Sequence, residues 1–355
     1  MESMDARAGT RAGGYRAAAR LAAALGLAIG LAGGAAPARA QGPLIGVVNG
    51  LSGNGWREEM VCAAKAEAAA SGGGVRVAVE QSANSPATMA RQIDDLVARG
   101  AGAIVVDPPS PGGLDASMAR AEAKGVYIVA MDQLTDSPGA YQVEFDQVAY
   151  GRIGMEWLAA RIGGRGTVGI VRGAQGAPAD RDREAGIKAA LRHYPSIKVA
   201  GEEYGGWNVG DTVRATRTLL RTYPHLSGLW VSGTGYWALR AFAATGARYI
   251  PMVDTDTEGF VEQLLALRRQ GLTGAAVTNP AAIGGVGMAL ALRLLAGGRP
   301  PRVTLLQPEV WASPGDIATL QAHRIAGAKD PGFSVAYDVP GYTRYTLPQL
   351  LACTG

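Results

Sequence analysis

From Leu44 onward, short apolar runs alternate with longer stretches in which small and apolar residues recur every three or four positions. The runs "LIGVV" (44–48), "VRVAV" (75–79), "AIVVD" (103–107) and "VYIVAM" (126–131) read as strands. The second half offers "TVGIV" (167–171), "IKVAG" (197–201), "GLWVS" (228–232), "YIPMVD" (249–254) and "TGAAV" (273–277). Near-continuous Val/Ile runs fit strands covered on both faces, since a strand with one wet face would alternate with polar residues. Between them lie helix-like segments such as "WREEMVCAAKAEAAAS" and "PATMARQIDDLVARG", several starting near Pro, Asp or Ser and stopping at Gly. Those are the residues that satisfy the orphan amides and carbonyls of helix ends. Repeated strand–helix units predict an α/β protein with parallel, doubly wound sheets. The pattern runs twice, changing near Phe145–Tyr150, so two Rossmann-like lobes are expected.

The first forty residues do not belong to that pattern. Arg7, Arg11, Arg16 and Arg20 precede "LAAALGLAIGLAGGAA", and "APARA" offers small residues at Ala38 and Ala40. This is the layout of a secretory signal peptide over 1–40, with an apolar run too short to span a bilayer. The expected mature chain is therefore exported to the periplasm. Its removal changes the charge picture: the leader holds five Arg and two acidic residues, leaving 29 basic and 28 acidic of the original 34 and 30. No basic patch remains to suggest nucleic acid or an anionic membrane surface. In an exported protein Cys62 and Cys353 could form one disulfide or stay as two thiols.

In doubly wound sheets the ligand crevice lies beyond the carboxyl ends of the strands. The first such loop, "NGLSGNGWREE" (49–59), resembles a phosphate loop only in its glycines. Trp56 and Arg57 stand where a Walker loop needs Lys and Ser/Thr, and the glycines at 50, 53 and 55 miss the dinucleotide fingerprint. Glu58 and Glu59 in the first helical turn would repel an anion. The loop instead presents Asn49, Asn54, Trp56 and Arg57 to a neutral polar ligand. His193, His225 and His323 have no metal-ligand spacing, "DTDTEG" (254–259) lacks the EF-hand's twelfth-position Glu, and no nucleophile elbow occurs. No cofactor, metal or catalytic residue is expected. Trp56, Trp207, Tyr236 and Trp237 gather at predicted strand ends, with Asp107, Asp132, Asp254, Arg57 and Arg183. Flat rings stack on the C–H face of a sugar, while carboxylates and guanidinium groups bond its hydroxyls. Each Trp also fits a packed core, each Asp a loop cap, and Arg181 and Arg183 a solvated helix face.

These motifs, in this order, resemble the periplasmic sugar-binding proteins of ABC importers, ribose-binding type. The likeness runs from about Leu44 to Gly298. "IGVVNGLSGNGWREEM" is similar to the family's first strand and ligand loop, which places ligand contacts on Asn54 and Trp56. "AIVVDPP" implies Asp107, and "VYIVAMDQ" implies Asp132, with Gln133 where the family carries Arg. "RGAQGAPADRDREAG" puts the sugar-binding Arg at Arg183, "GGWNVGDT" a lid aromatic at Trp207, and "YIPMVDT" an acidic contact at Asp254. "AAVTNPAAIG" sets Thr278 where ribose binders have Gln, and "SGTG" replaces an Asn-Asp pair. The resemblance implies a type I periplasmic binding protein fold, with residues 44–145 and 279–308 in one lobe and 146–278 and 309–355 in the other. It also implies hinge closure on a sugar or polyol and delivery, as a monomer, to a permease in the inner membrane. Three alternatives stay open from the residues: a small aromatic or amine ligand, a sensory partner such as a chemoreceptor or histidine kinase, and an exported enzyme using Ser232 or Asp254.

Overall fold

The computed structural model describes residues 42–353 apart from position 84; the expected leader, 1–40, lies outside the described residues. The first half is β1 (Leu44–Asn49), α1 (Gly55–Ala70), β2 (Arg76–Gln81), α2 (Pro86–Ala98), β3 (Ala101–Asp107), α3 (Asp115–Ala123), β4 (Tyr127–Met131) and β5 (Tyr141–Phe145). Next come α4 (Gln147–Arg161), β6 (Gly166–Arg172), α5 (Pro178–Leu191), β7 (Ile197–Tyr204), α6 (Val209–Thr222) and β8 (Gly228–Val231). They are followed by α7 (Gly235–Thr245), β9 (Met252–Thr255), α8 (Glu258–Leu267) and β10 (Gly274–Val277). The chain then forms α9 (Ile283–Leu295), β11 (Val303–Leu306), β12 (Val310–Ser313), α10 (Ile317–Ala322) and α11 (Leu347–Cys353).

Two six-stranded sheets result, ordered β11-β5-β4-β3-β1-β2 and β12-β10-β9-β8-β6-β7. All pairings are parallel except that of β10 with β12. Successive residues Val47 and Val48 of β1 are both fully buried, one packing with Val286 of α9, the other with Ile93 and Leu96 of α2. That two-sided burial is why the strands read as continuous apolar runs. Three strands escape such a reading. In β11 Val303 and Leu305 face outward while Thr304 and Leu306 face in, because the strand closes the sheet's edge. β5, "YQVEF", mixes polar with apolar positions, and β12 is a four-residue antiparallel edge.

Among the described residues the chain passes between the lobes four times. It leaves the first sheet after β5, where Asp146 caps α4 by accepting from Ala149 N at 2.8 Å. It returns after β10 into α9, which packs on the first sheet, and leaves again between β11 and β12. The fourth passage corrects the expectation that all of 309–355 belongs to the second lobe. Segment 310–322 does lie there, but α11 sits against α1, with Tyr345 and Leu350 packed on Cys62, Ala63 and Ala66. A disulfide between Cys62 and Cys353, Cα atoms 5.4 Å apart, fixes that return. Among the described residues no helix is long and apolar enough to cross a membrane.

Candidate functional site

The carboxyl ends of both sheets border one cavity. From the first lobe, Asn54, Trp56 and Arg57 reach it at the start of α1, and Asp132 just after β4. Asn54 has a double duty: its Oδ1 caps α1 by accepting from Arg57 N at 2.9 Å, while its Nδ2 faces the Trp207 carbonyl at 3.4 Å. That second contact links the two lobes across the cavity. Trp56 is held by its indole Nε1, which donates to Asn279 O at 2.7 Å.

Arg57 is 4% exposed and organises the first-lobe wall. Its Nη1 donates to Asp107 Oδ2 and its Nη2 lies 3.2 Å from Asp132 Oδ2. A buried guanidinium between two carboxylates is a rigid arrangement, since removing any member strands an unpaired charge. Burial pushes the Asp107 carboxyl up, Arg57 opposes this, and the neighbouring Asp132 adds to the rise.

The second-lobe wall is built around Arg183 on α5. Its Nε donates to Gln147 Oε1 at 2.8 Å, its Nη1 to Ser232 Oγ at 3.0 Å, and its Cζ lies over the Tyr150 ring, 4.1 Å from the centroid. Trp207 Nε1 points at the same Ser232 oxygen from 3.4 Å. Gln147 also donates to Asn279 Oδ1 at 2.9 Å, tying Arg183 to the Trp56 anchor. Ser232, a faint nucleophile candidate from sequence, is thus an acceptor beside a guanidinium, which has no site to take its proton. Tyr236 and Trp237 add a pair of rings, centroids 4.7 Å apart.

Two cavity residues carry unusual backbones. Asp132 (φ 64°) and Trp207 (φ 54°) are the residues other than glycine, among those described, in the left-handed region. Such a conformation costs of order 1–3 kcal/mol and persists where its surroundings impose it, which is characteristically at binding sites.

The model of the periplasmic binding protein domain matches residues 45–299. The chain belongs to that family. Among curated members, a xylitol-binding protein from Mycolicibacterium smegmatis is 29% identical over 60% of this chain and 62% of its own length, so less than two thirds of that relative is matched. A ribose import binding protein from Haemophilus influenzae is 22% identical over 63% of this chain and 76% of its own. Among solved structures, a periplasmic solute-binding protein of an ABC transporter from Actinobacillus succinogenes 130z, with bound D-allose, superposes with a TM-score of 0.70. It is 19% identical, over 79% of this chain and 99% of that one. The two-sheet arrangement is therefore the type I periplasmic binding protein fold.

In this family member the cavity gathers six of the residues singled out by sequence: Asn54, Trp56, Arg57, Asp132, Arg183 and Trp207. The other five do not line it. Asp107 lies behind Arg57, whose guanidinium covers it. Asn49 is buried at the end of β1. Gln133 is turned inward by a tight bend, its N–H donating to Met131 O at 2.7 Å, so that Asp132 alone faces the cavity. Asp254 Oδ2 accepts from Gly235 N at 2.6 Å and pins the start of α7; burial pushes its carboxyl up to about 7 against several backbone N–H bonds. Thr278 Oγ1 accepts from Glu309 N at 2.8 Å, joining β10 to the segment before β12. Sequence reading did not assign Tyr236, Trp237, Thr234, Thr255, Asn279 or Gly332 to the site, although all six line it. The two rings had already been noted at a strand end, while Asn279, one residue past Thr278, is the side of that loop that faces inward.

Proposed function

We propose that this protein is an exported solute-binding protein that captures a sugar or polyol between its lobes and delivers it to an ABC-type permease of the inner membrane. One observation carries the reading: a cavity between the lobes in which indole rings stand beside buried Arg57, Asp132 and Arg183. Rings take the apolar face of a carbohydrate, and fixed charged groups take its hydroxyls with charge-assisted bonds. The names of the curated relatives, which specify xylitol and ribose, support the same chemistry. The leader-like segment 1–40 supports export to the periplasm. The ligand touches both lobes only when they are shut, so binding favours the closed form.

A thermal-shift panel of pentoses, hexoses, polyols and small planar aromatics, followed by calorimetry on the hits, tests this. Stabilisation by at least one sugar or polyol and by none of the aromatics is the expected result. Response to aromatics alone would replace the carbohydrate reading by one in which the indoles stack on a planar guest.

A further inference from the structure

After α10 the chain runs from Arg324 to Ala336 along the junction of the lobes, bonded to both. On the second lobe, Glu258 accepts from Arg324 Nε at 2.7 Å and from Ile325 N at 3.0 Å. Glu258 N and Gly259 N in turn donate to Phe333 O and Pro331 O, at 2.6 and 2.8 Å, and Val335 N donates to Asp256 O at 2.8 Å. On the first lobe, Asp330 abuts Gly55 at the start of α1, where a Cβ would lie 2.2 Å from Oδ1. Further on, Arg344 N donates to Glu67 Oε2 at 2.7 Å, and Cys353 is joined to Cys62. Gly332 of this segment lines the cavity, and a Cβ there would come 2.9 Å from Tyr236 Oη and 3.2 Å from Gly55 N.

The two sets of bonds meet at one residue. Ser334 N donates to Glu59 Oε2, on α1, at 2.6 Å, while Ser334 Oγ donates to Asp256 Oδ2, just after β9, at 2.6 Å. All three residues are fully buried. A carboxylate from each lobe therefore holds a single serine. A hydrogen bond to a buried carboxyl oxygen is costly to leave unmade, and separating the lobes strands at least one of those oxygens. A segment bonded to both bodies must release one of them before the cleft can widen.

We propose that residues 330–336 are a strap that latches the closed lobes and forms one wall of the ligand cavity, with Ser334 as its joint and the Cys62–Cys353 bond as its anchor on the first lobe. The wall function rests on the cavity being the ligand site; the latch does not. Ser334 is a positioning residue, acting through Glu59 and Asp256 rather than on the ligand.

Hydrogen exchange on the ligand-free protein tests the latch, and calorimetry with xylitol and with D-ribose tests the wall. Ser334→Ala keeps the amide bond to Glu59 but loses the Asp256 bond. Exchange at residues 333–336 and at Gly259 is expected to rise at least tenfold, while the central strands β1, β3, β8 and β9 keep their protection. Affinity for whichever probe binds the parent is expected to fall at least fivefold, mainly through faster dissociation. The double variant Cys62→Ser/Cys353→Ser is expected to raise exchange first over 344–353 and then over the strap; it carries the same readouts should Ser334→Ala not fold. Parental exchange over 330–336 in both variants overturns the latch. Raised exchange with parental affinity overturns the wall. A parent that binds neither probe counts against the carbohydrate reading and leaves the exchange test of the latch intact.

Discussion

The indole of Trp207 lies directly on the backbone of Gly173: a Cβ built on Gly173 would stand 2.4 Å from Trp207 Cε2. No side chain fits beneath the ring, and the position after β6 has to be glycine for Trp207 to face the cavity. Gly173→Val is expected to displace the indole and weaken sugar or polyol binding at least tenfold. Overpacking of this kind costs about 1–3 kcal/mol of stability. Calorimetry showing parental affinity for this variant would remove Trp207 from the site.

Arg57 is expected to matter twice. Arg57→Ala leaves Asp107 and Asp132 buried without their guanidinium, and breaking such a pair costs about 3–5 kcal/mol. Adding Asp107→Asn should restore part of that stability in urea denaturation, because one stranded charge is gone. Binding should stay lost in the double variant. Recovery of both together would mean that Arg57 serves folding alone.

Trp56 and Trp237 separate ligand contact from packing. Trp56 is partly exposed in the cavity and tied through Asn279, whereas Trp237 is 7% exposed and packed among Leu239, Phe260 and Leu264. Trp56→Ala should reduce affinity at least tenfold, about 1.4 kcal/mol, with the fold kept. Trp237→Ala should cost about 3–5 kcal/mol of stability, as large-to-small core changes do. Equal effects of the two on thermal stability would contradict this division.

Asp254 gives a pH dependence with a definite sign. Its folded-state pKa is pushed up to about 7 by burial, above the ordinary carboxylate value near 3.9. The proton is held more tightly in the folded state, so this contribution is complete below about pH 4 and is lost as pH rises through 7. Asp254→Asn keeps an acceptor for Gly235 N and removes the titration. The fall in melting temperature between pH 4.5 and 7.5 should therefore be smaller in the variant than in the parent; an identical fall would refute the shift.

Much of this was legible in the sequence because strands buried on both faces leave an unmistakable mark. "LIGVV" and "AIVVD" could hardly be anything else, and the residues that end such strands fall at the crevice by topology. What stayed hidden depended on direction and on distant partners. Asp132 and Gln133 are neighbours, yet a left-handed φ at the first points one into the cavity and the other away. Asp107 and Asp254 are at strand ends as expected, but one is covered by Arg57 and the other spent on a helix start. Gly332, from a tail without periodicity, reaches the cavity because its neighbours are bonded to Gly259, Glu59 and Asp256, residues far back along the chain. No local pattern encodes that.

The two left-handed residues have a consequence for how selectivity and speed divide. Asp132 follows β4, where Arg57 of the same lobe holds its carboxyl, and Trp207 follows β7, where its indole rests on Gly173 of its own lobe and its carbonyl meets Asn54 of the other. A tooth set within its own jaw costs an arriving guest little affinity to straighten, and Asp132, held by Arg57, is set in that way. Changes in the teeth should therefore alter which guest is chosen, and changes in the joint how long it stays.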